Sequence, residues 1–270
     1  MERLANREID RQAEQPVRNW AAFPTLVRHQ VVRFLRMWLN TLVPPTVSLL
    51  LYLMIFGSLI GSRIGTVQGL SYVAFIIPGL IMLKVIMSAY ENVTFSLYMA
   101  KFEHCIEELL VAPVPYVVIL AGYVTGGIVR GLVVGILALA ISALFSPVQI
   151  VNSGVLLLTL IMASAIFSMA GFIIALFADN FDDVSIIPVF VLTPLIYLGG
   201  VFYSVEMLPA FWKNLSLANP LLYIINAARY GFTGVAEVSM GIAFTMMLFF
   251  CILFFCTSLW LLHRSTGLRG

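Results

Sequence analysis

Charge is scarce in this chain: Asp, Glu, Lys and Arg make up 10% of its 270 residues, against roughly 25% in an average soluble domain. So few charges cannot cover a water-facing surface of this size, which excludes a soluble globular protein. Lysine is rarest, at positions 84, 101 and 213, and none of the three follows a glycine. A Walker-type phosphate loop ends a Gly-rich run in Lys, so no such nucleotide site is expected in this chain. The histidines His29, His104 and His263 are too scattered for zinc-ligand spacing, and no metal is expected. Cys105 falls in a loop and Cys251 and Cys256 in an apolar run; together they make no disulfide framework, and packing is their expected role. A net charge of +2 carries no signal for nucleic acid, and none is expected as a partner. Internal repeats and low-complexity tracts are absent as well.

Apolar residues, by contrast, form 61% of the chain, with mean hydropathy +1.02. A helix needs about 20 of them to cross a membrane. Stretches near 39–61, 71–97, 116–144, 153–178, 186–203 and 241–262 qualify. They are too long and too uniform for barrel strands, which alternate over about ten residues. The expected class is an all-α integral membrane protein with six transmembrane helices. Residues 1–38 would form an N-terminal segment, 39–262 the transmembrane domain and 263–270 a tail.

Arg3, Arg7, Arg11, Arg18, Arg28, Arg33 and Arg36 precede the first span, Lys101 lies in the second loop, and Arg264 and Arg269 follow the last span. The other side has Arg63, Lys213 and Arg229. Because positive loops are retained inside, both termini are expected in the cytoplasm, and six spans require them on one side. No cleavable signal peptide is expected, since residues 1–38 mix acids with arginines and lack a long apolar core.

Before the first span, Trp20, Phe23, Val27, Val31, Phe34 and Trp38 recur every three or four positions, with His29, Arg33 and Arg36 opposite. At about 100° per residue this is one narrow stripe, the pattern of an interfacial helix over about 18–38 with aromatics toward lipid and cations toward headgroups. An ordinary cytoplasmic extension is the alternative. Pro44-Pro45, Pro78-Gly79, Pro188 and Pro194 are expected to bend their spans. Gly122, Gly126, Gly127, Gly131 and Gly135 put small residues four apart in the third span, which favours close helix packing. Residues 204–240 are too apolar for an open loop and too interrupted for a span. Leu208–Trp212 and Leu221–Ile225, parted by Asn219-Pro220, are expected as short re-entrant helices.

Ionisable residues inside spans are costly and turn toward the protein interior or water. Lys84 and Glu91 lie two turns apart on one face of the second span, roughly 10 Å along the axis, and Arg130 lies near the middle of the third. Two roles are open: bordering a path for an anionic or phosphate-bearing substrate, or a structural role with the charge neutralised by Glu91 and interior carbonyls. The segment 101–115 groups Phe102, Cys105, Ile106 and Leu109 on one helical face and Glu103, His104 and Glu107 on the other, with Pro113 and Pro115 as stops. Such a surface helix, tied to two spans, would pass on a push from a soluble partner. Asp179, Asp182 and Asp183 are expected to form a solvated turn.

Several of these segments carry a resemblance: Phe75-Ile-Ile-Pro-Gly-Leu80, Ile106-Glu-Glu-Leu-Leu-Val-Ala-Pro-Val114, Leu192-Thr-Pro194, Gly199-Gly-Val-Phe-Tyr203, Asn219-Pro-Leu-Leu-Tyr223 and Arg229-Tyr-Gly231. In this order, over residues from about 20 to 262, the chain resembles the permease subunits of ABC-2 type exporters of bacteria. The resemblance implies an interfacial N-terminal helix including Trp20, Phe23, Arg33 and Arg36, a cytoplasmic coupling helix, and re-entrant helices before the sixth span. It also implies a permease homodimer in the inner membrane, contacting lipids and two copies of a separate ATPase that binds ATP and Mg. Glu103, Glu107, Glu108 and Leu109 would take the coupling role, with Pro113 setting the angle into the third span. Lys84, Glu91 and Arg130 would then line the translocation path of an exporter whose substrate is anionic, lipid-linked or amphiphilic. This chain itself would hold no cofactor and catalyse nothing. An ATP-independent transporter or a membrane-embedded enzyme is the alternative.

Overall fold

The computed structural model describes residues 22–67, 69–103, 105 and 114–264. Among the described residues six helices are long and apolar enough to cross a membrane: Trp38–Gly57, Tyr72–Phe102, Tyr116–Ser142, Ser153–Phe177, Phe181–Leu198 and Met240–Arg264. Ahead of them stands α1 (22–36). At Met37 the backbone leaves helical geometry (φ −105°, ψ 33°), and α2 (Trp38–Tyr52) begins. It runs on as a π-helical stretch, Leu53–Ile60, into α3 (Gly61–Ile64). A small hairpin, β1 (Thr66–Val67) with β2 (Leu70–Ser71), pairs Thr66 with Ser71 and Val67 with Leu70 before α4 (Tyr72–Phe102). The third and fourth spans are α5 (Tyr116–Ser142) and α6 (Ser153–Phe177). The fifth joins α7 (Phe181–Ile187), a second π-helical stretch at Pro188–Leu192 and α8 (Thr193–Leu198). Two short helices, α9 (Ala210–Leu217) and α10 (Pro220–Thr233), precede α11 (Met240–Arg264).

The second span is the axis of the bundle. In its most apolar window 83% of the residues are buried, against 11% in the first span. Phe75, Ile76, Leu80, Val85, Ile86 and Tyr90 of α4 anchor the main apolar core. The glycines of α5 let its neighbours approach. A Cβ at Gly127 or Gly131 would collide with the hydroxyls of Ser168 and Ser164 on α6, and one at Gly122 or Gly126 would meet Leu26 and Gln30 of α1. Spaced four apart, these pairs put α6 on one flank of α5 and α1 on another.

At one end of the bundle three of the resemblance segments interlock. The Arg229 guanidinium lies 4.0 Å over the Phe75 ring and donates to the Gly200 carbonyl at 2.7 Å. A Cβ on Gly79 would strike the backbone of Val201, so only glycine permits this approach of α4 to the segment after α8. Gly200 itself adopts φ +82°, a conformation cheap only for glycine.

The apolar stripe expected before the first span is interrupted. Phe34 is buried and Phe23, Val27 and Val31 are half-buried, but Trp38 is 54% exposed. The break at Met37 puts Trp38 on a different helix, out of phase with the stripe. Arg33, expected on the headgroup side with Arg36, turns inward instead, while Arg36 stays exposed. The physical reason is that α1 packs against α5 through Leu26 and Gln30 rather than resting on a flat apolar surface. Trp20 lies outside the described residues.

Candidate functional site

Proline builds the site's first wall. Pro45 has no N–H to give the Thr41 carbonyl one turn back, and the Arg130 Nη2 donates to that carbonyl at 3.4 Å. The same guanidinium nitrogen pairs with Glu91 Oε2 at 3.4 Å. Glu91 and Lys84, although on one face of α4, therefore have different partners: Lys84 Nζ donates to Ser48 Oγ at 2.6 Å and sits 5.1 Å from the centre of the Tyr52 ring. Lys84 and Arg130 are both buried, at 7% and 6% exposure.

These groups border a cavity of about 370 Å³ between α2, α4, α5 and α8, with Ser48, Tyr52, Thr193 and Tyr197 on its walls. Its far end is aromatic: the Tyr52 and Tyr197 hydroxyls are 3.0 Å apart, and Phe202 packs against both rings. A second cavity, about 710 Å³, lies between α1, α4 and α5 and shares Asn40, Thr41, Glu91 and Arg130 with the first. Asn40, Thr41, Glu91 and Arg130 thus join the two cavities, whose walls also carry apolar side chains such as Phe34, Met87 and Phe95.

Arg33 faces this second cavity. Its Nη2 donates to the Asn92 carbonyl at 2.9 Å, to Asn92 Oδ1 at 3.3 Å and to Gln30 Oε1 at 3.2 Å. Ser96 Oγ donates to the same Gln30 oxygen at 2.8 Å. Burial, reinforced by the positive charge of Arg130 and opposed by Tyr123, pushes the Arg33 pKa down to about 10, which leaves it a cation at neutral pH. Among the described residues Arg33 Nε, Arg130 Nε and Asn92 Nδ2 are buried without a hydrogen-bond acceptor.

Of the residues expected to couple to an ATPase, Glu103 is described and is exposed at the turn that ends α4; Glu107, Glu108, Leu109 and Pro113 lie outside the described residues. Lys101, expected in a loop, belongs to α4, donates to the Leu176 and Ala178 carbonyls at the end of α6 and pairs with Asp179 at 3.3 Å. Asp183 accepts from the Asp179 and Asn180 backbones and caps α7. Among the described residues no group of three or more His, Cys, Asp or Glu could hold a metal ion. Glu237 escaped sequence reasoning. It pairs with Arg229 at 3.3 Å, both side chains being at most 5% exposed, and its other oxygen accepts from the Val205 backbone. Its only sequence signal was its place between two apolar segments opposite the charged Arg229.

Residues 21–233 match the ABC-2 type transporter family. The chain is 50% identical over 251 residues to the inner membrane transport permease YadH of Escherichia coli K12, covering 93% of this chain and 98% of that protein. It is 21% identical to nodulation protein J of Rhizobium meliloti over 247 residues, 91% of this chain and 93% of the relative. Nodulation protein J of Rhizobium leguminosarum bv. trifolii is also 21% identical, over 78% of this chain and 80% of its own. A family match across most of the spans, joined to half identity over nearly the full length of a permease, places this chain in the ABC-2 type transporter family.

Proposed function

We propose that this chain is the permease subunit of a bacterial ABC exporter, working as a homodimer in the inner membrane with two copies of a separate ATPase. The observation that carries the reading is the set of ionisable residues within the spans: Lys84, Glu91 and Arg130 border adjoining cavities inside the bundle. Charge held at that depth is expensive and marks substrate or ion pathways. With no Walker-type lysine in the chain, the work must come from outside it. Half identity to an inner membrane transport permease supports both the location and the role.

The arginines before the first span and Lys101 put the α1 end of the bundle, and both termini, in the cytoplasm. Glu103, Glu107, Glu108 and Leu109 then take the coupling role toward the ATPase, with Pro113 setting the angle into α5. ATP and Mg are bound by the partner, and closure of its two copies pushes this segment. Substrate travels from the α1 side toward the Tyr52–Tyr197 pair.

The test is reconstitution of the permease with its ATPase. The two are expected to copurify, with the permease changing the rate of ATP hydrolysis. Glu107→Lys combined with Glu108→Lys is expected to abolish that change while the permease keeps its melting temperature. Failure to copurify, or an unaltered rate in the double variant, would overturn the reading.

A further inference from the structure

The last turns of α4 are tied to the joint between the fourth and fifth spans. Lys101 Nζ donates to the Ala178 carbonyl at 3.0 Å and to the Leu176 carbonyl at 3.4 Å, oxygens that the end of α6 leaves without an intrahelical partner. Its ion pair with Asp179 adds less, because that carboxylate is 82% exposed and solvent screens such pairs. Tyr98 and Phe95, further back along α4, hold the Phe181 ring at centroid distances of 6.4 and 5.6 Å. Tyr98, Ala178 and Val184 are buried together in a small apolar cluster separate from the main core. Asp183 braces the joint from within by capping α7.

Beyond the joint the fifth span is loosely held. Only 17% of its most apolar window is buried, and it has a cavity on two sides. Thr193 and Tyr197 border the polar cavity of about 370 Å³. Ile187, Val191 and Leu195 border an apolar one of about 250 Å³, which α4, α6, α10 and α11 also line. Protein interiors are close-packed, so space on two sides of a helix is room to shift. The third span, into which the segment after α4 also leads, is held more tightly: the glycines of α5 press against α6 on one flank and α1 on another.

We propose that Lys101 is a positioning residue for transport: it carries movement of the segment after α4 into the 176–184 joint, and the fifth span follows, shifting toward the apolar cavity and drawing Thr193 and Tyr197 back from the polar one. Coupling travels through continuous packing and hydrogen bonds, and here the ammonium grips main-chain oxygens, so the pull acts on the backbone rather than on a side chain that can turn away. The inference deepens the export reading and rests on it for the source of the movement.

The test uses the full permease in nanodiscs with its ATPase, compared with and without trapping by ATP and vanadate, and reads amide hydrogen exchange along the chain. In the unmodified protein trapping is expected to change exchange at residues 103–115 and at 181–198. Lys101→Met, which keeps the apolar stem and removes the charge, is expected to retain the change at 103–115 and lose most of that at 181–198. Lys101→Arg is expected to restore it and Asp179→Asn to leave it intact. A stability role alone would alter exchange equally with and without nucleotide. An undiminished response at 181–198 in Lys101→Met, or no restoration by Lys101→Arg, would overturn the inference. Should Lys101→Met fail to fold, two glycines inserted between Asp179 and Asn180 slacken the joint with Lys101 in place: loss of the response at 181–198 alone supports the tie, and an undiminished response refutes it. In the unmodified protein, a response that stops at 103–115 would sink the inference alone, and no response at either segment would sink the export reading and the inference with it.

Discussion

Arg130 and Pro45 depend on each other although they sit on different spans. The missing N–H of Pro45 leaves the Thr41 carbonyl open, and Arg130 takes it while also holding Glu91. Pro45→Ala would return a helical N–H to Thr41 and remove one of the two acceptors that hold the guanidinium in place. Transport is expected to fall while the melting temperature stays level or rises, since an interior helix proline costs about 3 kcal/mol; a fall in melting temperature with full transport would contradict this. Arg229 and Glu237 behave differently, because they are sealed from water and anchor backbone rather than line a cavity. Removing either charge leaves the other uncompensated, at a cost of about 3–5 kcal/mol. A double-mutant cycle of Arg229→Met and Glu237→Leu, read by thermal melting, should therefore show the pair far less destabilised than the sum of the singles. The position of the ionisable residues in α4 and α5 was legible in the sequence, and so was the choice of Glu91 and a main-chain carbonyl as partners for Arg130, whereas Ser48 as the partner of Lys84 was not. Lys84 and Glu91 share a face, but the proline that opens the Thr41 carbonyl and the hydroxyl of Ser48 decide which of them is paired.

Helix packing followed the small residues closely. The glycines of α5 announced close neighbours, and the structure supplies them as Ser164 and Ser168 on one flank and α1 on the other. Gly127→Ala would drive a methyl into the Ser168 hydroxyl, a form of overpacking that costs about 1–3 kcal/mol. Thermal melting should record the loss, and adding Ser168→Gly should recover most of it; no recovery would place the strain elsewhere. The inward turn of Arg33 was not legible for a related reason. A periodic stripe defines one face of a helix but not how many neighbours that face and its edges meet. With α5 offering glycine-lined space beside α1, an edge position that looked solvent-facing became a contact with α4. The broken phase at Trp38 likewise depends on backbone geometry at Met37, a residue with no breaking propensity of its own.

For the whole molecule, the six-helix class was evident from apolar run length alone, since hydrocarbon thickness dictates span length. The direction of insertion can be read chemically through Cys105, which is exposed, while Cys251 and Cys256 lie in the apolar last span. A membrane-impermeant maleimide is expected to label Cys105 in inside-out vesicles and not in intact spheroplasts; the reverse would invert the topology. Apolar flanks remain exposed on the bundle, such as Val47, Leu50 and Met54 on the first span and Val189 and Phe190 on the fifth. Both of those spans also carry a π-helical stretch, and Tyr52 and Tyr197 each stand close to one. A π-turn holds one surplus residue. Passing that residue along the helix would turn the residues it passes by about 100°, so the fifth span could swing Tyr197 off Tyr52 by a change of winding, with no hinge and no movement of the bundle as a whole.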